Sequence, residues 1–162
     1  MSTIPAYIST AVTHPSRPEQ DLVFDLENAP AEVIHFAGIK PNDKVAIIGS
    51  SGNYYLSIIT NIVADEGMVY PHNASWSMRG HPVAMVYWRD RMDAAPIKNI
   101  EPIITPMESL IFPESLDCIV IDRFYHDVVR HPTADEHAMN QAIFKALKPG
   151  GSYVVIDHHA RE

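Results

Sequence analysis

The sequence predicts an open α/β domain built on a mostly parallel sheet. Three observations carry that expectation. An apolar run, Val45 to Ile48, enters a turn of small residues, Gly49-Ser50-Ser51-Gly52-Asn53, and leaves it as a helix-spaced segment with Leu56, Ile58, Ile59, Ile62 and Val63. Strand-like runs then alternate with helical stretches, the pattern of right-handed βαβ units. Last, a helix-spaced segment carrying Ala138, Met139, Ala142, Ile143 and Leu147 stops at Pro149-Gly150-Gly151, and an apolar strand follows.

Residues 1–18 hold Pro5, Pro15 and Pro18 among polar residues and read as an irregular arm; residues 19–162 read as one α/β domain. Residues 19–28 fit a short acidic helix. Pro30 suits a first helical turn with Asn28 as its cap, and Val33, Ile34 and Phe36 lie on the helix that ends at Gly38. Strand one is expected at Lys44–Ile48, the helix after it at Asn53–Ala64, and strand two at Met68–His72. Residues 73–97, with Trp76, Tyr87 and Trp88, are the least regular. Strand three is expected at Asn99–Thr105 and strand four at Ser115–Asp122. Thr133-Ala-Asp-Glu136 has the form of a capping box for the next helix, and strand five is expected at Ser152–Asp157.

Composition excludes several classes of function. With 162 residues and 46% hydrophobic content the chain can bury a core as one domain. A formal charge of −8 speaks against a nucleic-acid surface or an anionic membrane surface. No apolar run approaches the roughly 18 residues a membrane span needs. The first residues, Met1-Ser-Thr-Ile-Pro-Ala-Tyr, lack the basic start and apolar stretch of a secretory signal. The single cysteine, Cys118, lies in the apolar run Leu116 to Ile121 and reads as a buried strand thiol, which suits a reducing cytoplasm.

Several segments carry a family resemblance that spans nearly the whole chain. Ala146-Leu-Lys-Pro-Gly-Gly-Ser-Tyr-Val-Val-Ile-Asp157 resembles the late helix, turn and strand of class I S-adenosylmethionine-dependent methyltransferases. Ser115-Leu-Asp-Cys-Ile-Val-Ile121 is similar to their fourth strand, and residues 30–45 to the helix and turn before their first. More narrowly, Tyr54-Tyr55, Tyr125-His126-Asp127 and Asp157-His158 resemble a group of bacterial predicted methyltransferases. The resemblance implies a Rossmann-like methyltransferase fold, strand order 3-2-1-4-5, lacking the usual last two strands. It implies S-adenosylmethionine as cofactor, held by Gly49, Ser50, Ser51, Gly52 and Asn53. Asn73 follows strand two, where the family often places an acidic ribose ligand. Met107 follows strand three, where the family reaches the adenine, and Asp122, which ends strand four before Arg123, is a further expected cofactor-binding residue.

Two departures from the family pattern sharpen the question of activity. The family's acidic position before the glycines is Ile47 here, and Ser51 and Asn53 stand at glycine positions. Isoleucine accepts no hydrogen bond, and a Cβ at either loop position restricts φ and crowds a close ligand. Strand five is also expected as a sheet edge. Such an edge calls for a cover: the N-terminal arm, a second copy of the chain in a homo-oligomer, or a protein partner.

The candidate catalytic residues are His126, Asp127 and His158. His126 has the ring to act as a base and Asp127 could orient it, while Asp157-His158-His159 ends strand five on the same carboxyl edge. The same residues also fit a polar loop that caps helices. The nine histidines include His126, His131 and His137 in one segment, but without metal-ligand spacing, and no metal is expected. Three functions remain open: methyl transfer to a small molecule, a catalytically inactive methyltransferase-like binding or assembly subunit, and a different reaction on the same fold.

Overall fold

The structure, a computed structural model, describes residues 3–49, 54–74 and 98–159. Five strands form one sheet in the order β3-β2-β1-β4-β5: β1 Lys44–Ile48, β2 Met68–Ala74, β3 Ile103–Thr105, β4 Leu116–Asp122 and β5 Leu147–Ile156. Among the described residues every pairing is parallel. The helices are α1 Ala6–Val12, α2 Glu19–Leu22, α3 Asp25–Asn28, α4 Pro30–Ala37, α5 Tyr54–Val63, α6 Tyr125–Arg130 and α7 Glu136–Ala146. The fold is the expected Rossmann-like α/β arrangement, and among the described residues no strand follows β5.

Strand alternation sorts the core into two layers. Val45, Ile47, Val69, Cys118 and Val120 face a cluster built from α1, α4 and α5. Ala46, Ile48, Tyr70, Ile119 and Ile121 face the other, with Val128 of α6 and Met139 and Ile143 of α7. Cys118 is buried, and burial pushes its thiol up to about 11, so it is an inert strand residue. Asp117 ties the amino edge together. One oxygen accepts the Lys44 backbone N–H at 2.8 Å, and Lys148 Nζ reaches both oxygens at 2.8 and 2.7 Å.

Four local expectations are corrected. The N-terminal arm is not irregular throughout: Ala6–Val12 is helical, Ile8 and Ala11 are buried, and α1 packs on α4 and α5 rather than along β5. The acidic helix at 19–28 is two single turns, α2 and α3. Asn28 does not cap α4. Ala29, in the left-handed region at φ 41°, occupies that position, and the Asn28 side chain turns to Arg123 instead. The cap of α7 is Asp135, whose Oδ1 accepts the Ala138 N–H at 2.9 Å, two residues later than the capping box placed it.

Candidate functional site

The carboxyl ends of β1, β2, β4 and β5 form one edge, the position where open α/β sheets bind ligands. Gly49 leaves β1 at φ +70°, and its N–H donates to the His72 carbonyl at 3.1 Å. A Cβ at this position would overlap the Phe124 ring, so the space that the glycine leaves open is filled from within the chain. Ser50, Ser51, Gly52 and Asn53 lie outside the described residues, as do Trp76, Tyr87 and Trp88.

Ile47 is buried and faces the α1, α4 and α5 layer, so its side chain serves the core. Met107 is also fully buried. Pro106 leads into a 3-10 turn, Met107–Ser109, that delivers the methionine to the second core cluster rather than to the sheet edge. Met107 thus packs in the core. Asn73 is buried near the end of β2.

His72, beside Asn73, is enclosed, and its Nε2 lies 3.1 Å from the Thr105 carbonyl oxygen. Burial lowers its pKa to about 4, against a smaller upward pull from the Thr105 hydrogen bond. The folded protein thus takes up this proton less readily than the unfolded chain. Stability from this group is complete above the unfolded value near 6.5 and declines as pH falls from there toward 4. Urea titrations are expected to show a loss of roughly 2–3 kcal/mol over that interval, flattened in His72→Gln.

Asp122 and Arg123 close β4. Arg123 adopts φ +47°, a costly conformation for a residue with a Cβ, which turns the chain toward α6 and lets its N–H donate to the Ile156 carbonyl at 2.7 Å. Its guanidinium donates to Asp122 Oδ2 at 3.2 Å and to Asn28 Oδ1 at 3.0 Å. Burial raises the Asp122 pKa above the usual carboxylate range, although Arg123 opposes the shift. Asp122 Oδ1 is buried with no hydrogen-bond partner among the described residues.

Parallel pairing of β4 with β5 brings His126, Asp127, Asp157 and His158 together. His126 Nδ1 is 2.6 Å from Asp157 Oδ1, the His126 backbone N–H donates to Asp157 Oδ2 at 3.1 Å, and the His158 N–H donates to Oδ1 at 2.8 Å. Burial works to raise the Asp157 pKa, but these bonds together hold it below its ordinary value. The His126 and His158 rings are 5.5 Å apart. Asp127, expected to orient His126, lies 3.5 Å from Nε2 on the far side of the ring; Asp157 is the orienting carboxylate. With Nδ1–H given to Asp157, Nε2 is left as the basic nitrogen. Among the described residues no group of three or more His, Cys, Asp or Glu side chains is placed to hold a metal ion, and no helix is long and apolar enough to cross a membrane.

One cluster escaped sequence reading. The Arg17 side chain, 1% exposed, grips Asp25 at 2.8 and 2.7 Å, and Tyr54 Oη donates to Asp25 Oδ1 at 2.5 Å. This clamp ties the segment before α4 to the first residue of α5, directly after the small-residue turn. A proline on each side of Ser16-Arg17 was its only sequence signal, and that reads equally as loop.

No protein-family model matches the sequence, and no curated protein matches it. Solved structures do resemble it. A SAM-dependent methyltransferase from Aquifex aeolicus superposes with a TM-score of 0.65 at 20% identity, covering 96% of this chain and 73% of that one. A protein-L-isoaspartate O-methyltransferase gives 0.64 at 14% identity, covering 94% and 50%. The glycopeptide N-methyltransferase MtfA complexed with S-adenosyl-L-methionine gives 0.54 at 16% identity, covering 77% and 48%. At these identities the likeness is one of fold, and the chain spans about half the length of the last two.

Proposed function

We propose that the chain is an S-adenosylmethionine-dependent methyltransferase acting on a small molecule that loses a proton as it is methylated. The observation that carries this reading is the His126–Asp157 pair, at 2.6 Å, on the carboxyl edge of a methyltransferase-like sheet. The cofactor fit rests on Asp122 Oδ1, a buried acceptor without a partner among the described residues and chemically suited to a donor such as an ammonium group. Gly49 and its turn, Asn73 and Asp122 are the residues that would hold the cofactor, which supplies an electrophilic methyl group on a sulfonium. His126 Nε2 takes the acceptor's proton. Asp157 fixes the ring through Nδ1, and Asp127, 3.5 Å from Nε2, balances the charge that then develops. Their placement on α6 and at the end of β5, two neighbouring chain segments, supplies the positioning such a transfer requires.

A second reading, a methyltransferase-like binding subunit without catalysis, is favoured by the Phe124 ring against Gly49 and by Ile47 in the core. Calorimetric titration with S-adenosylmethionine and S-adenosylhomocysteine separates the two. Saturable binding tighter than about 1 mM is expected, and no heat at that concentration sinks the first reading. With an acceptor found by screening protic small molecules, His126→Gln is expected to lower kcat by about 10²–10⁴ while leaving S-adenosylhomocysteine affinity unchanged. Asp157→Asn should lower it less.

A further inference from the structure

Strand β5 ends the sheet, and among the described residues it pairs with β4 alone. The Ile156 carbonyl accepts the Arg123 N–H, so alternation turns the main-chain groups of Ser152, Val154 and Ile156 toward β4 and those of Tyr153 and Val155 outward. Protected edges carry a charge or a proline at such positions, and residues 150–156 carry neither. The layers on both sides of this edge are apolar and open. On one face α4 packs against β5, where the Ala37 carbonyl accepts the Ser152 hydroxyl at 3.2 Å, and the neighbouring Phe36 is 83% exposed. On the other face Phe144 of α7 is 80% exposed, and Val155, on the same face of the strand as Tyr153, is half exposed. Phe144 lies on the flank of α7 opposite Ala138, Gln141 and Lys145, which line the groove along the 108–115 loop, and so on the β5 side. These features define the occupant. Outward N–H and C=O groups call for a strand. A lone strand would leave both phenyl rings in water, so the occupant must bring a helical layer on each face. The chain's own β5 edge has that form, and its uncharged strand meets no repulsion from a copy of itself.

We propose that the chain forms a two-fold dimer by antiparallel pairing of β5 with β5 of a second copy, which joins the two sheets into one. An axis normal to the sheet keeps α4 beside α4 and α7 beside α7. With Val154 on the axis, Tyr153 stands opposite Val155 of the second copy, and each such pair exchanges both backbone bonds. Phe36 and Phe144 of both copies, at roughly 150 Å² or more per ring, bring the interface with its strands to the order of 1,000 Å² that a stable contact needs. The dimer does not depend on the chemistry at the carboxyl edge. Analytical ultracentrifugation of the whole chain is expected to show it with a dissociation constant below about 10 μM. Val155→Pro removes an outward N–H that no bond to β4 uses, and Phe36→Glu and Phe144→Glu place a charge in each layer. Each should raise the dissociation constant at least about tenfold. Ile111→Asp, at an exposed apolar position on the other flank of α7, should leave it unchanged. Both phenyl rings face solvent, so circular dichroism should show the glutamate variants folded, and they carry the test even where proline disturbs the strand. Amide hydrogen exchange locates the contact. Tyr153 and Val155 should be protected in the dimer and exchange in the glutamate variants, while Val154 and Ile156 stay protected in both. A wild-type monomer at about 100 μM overturns the proposal. So does a dimer that the glutamate variants leave intact, or one whose Tyr153 and Val155 amides exchange freely.

Discussion

Asp25→Ala is expected to lower the free energy of unfolding by about 3–5 kcal/mol, because it strands a guanidinium that is almost wholly removed from water. Arg17 would keep the Val12 carbonyl at 2.6 Å and the Tyr54 ring at 5.4 Å, neither of which balances its charge. The double variant Arg17→Met/Asp25→Ala should cost less than Asp25→Ala alone, since the unpaired charge disappears with its partner. Urea denaturation reads both, and equal costs would show that the buried charge is not the source. The pair also predicts acid sensitivity. The Arg17 hydrogen bonds, together with that from Tyr54, lower the Asp25 pKa from 3.8 against the opposing effect of burial. Its contribution is therefore complete above the unfolded value and is lost as pH falls through the folded one. Wild type should lose stability below about pH 4 by an amount that Asp25→Ala lacks.

Gly49→Ala is the second large effect, about 3 kcal/mol, measured the same way. It adds a Cβ at φ +70° and drives that atom into the Phe124 ring. Phe124→Ala alone should cost about 3–5 kcal/mol as a core truncation. Combined, the two should cost at least about 1 kcal/mol less than their sum, because the new methyl then occupies room the ring has vacated. Additive losses would mean that backbone conformation alone sets the requirement for glycine. The cycle also bears on ligand binding: a ligand that presses on the Gly49 backbone must compete with Phe124, so S-adenosylhomocysteine should respond to Phe124→Ala if it binds at this edge.

The central strands were legible because their signals were local and agreed. Lys44–Ile48 carries an uninterrupted apolar run, Val45 to Ile48, before Gly49, and its bounds match the sequence expectation. Strand three is shorter than its apolar run suggests, Ile103–Thr105 rather than Asn99–Thr105. Ile100 makes only an isolated bridge to Val69, while the Asn99 amide donates to the Thr60 and Ala64 carbonyls of the α5 end. Strand five is longer than Pro149-Gly150-Gly151 suggests: pairing begins at Leu147, and Gly150, at φ +84°, accommodates the irregularity without ending the strand. Helix α1 is masked in the sequence by the prolines around it, although Ile4, Ile8, Ala11 and Val12 have helical spacing. The site was legible as a list of polar residues at strand ends, but not as contacts. His126 and Asp157 are separated by 31 positions, and only the β4–β5 register decides that Asp157, not neighbouring Asp127, holds Nδ1. The Phe124 ring against Gly49 was equally invisible, since nothing at either position names the other.

The Asp117 carboxylate has a consequence for how the chain folds. It joins the start of β1 to the start of β5 through Lys44, 73 positions away, and Lys148, 31 positions away. These bonds can close only after the crossovers between the strands have been laid down, so they form late relative to local helices. Substitution at Asp117 should therefore speed unfolding more than it slows refolding. The amino edge of the sheet, opposite the candidate site, would then act as a kinetic lock on the molecule.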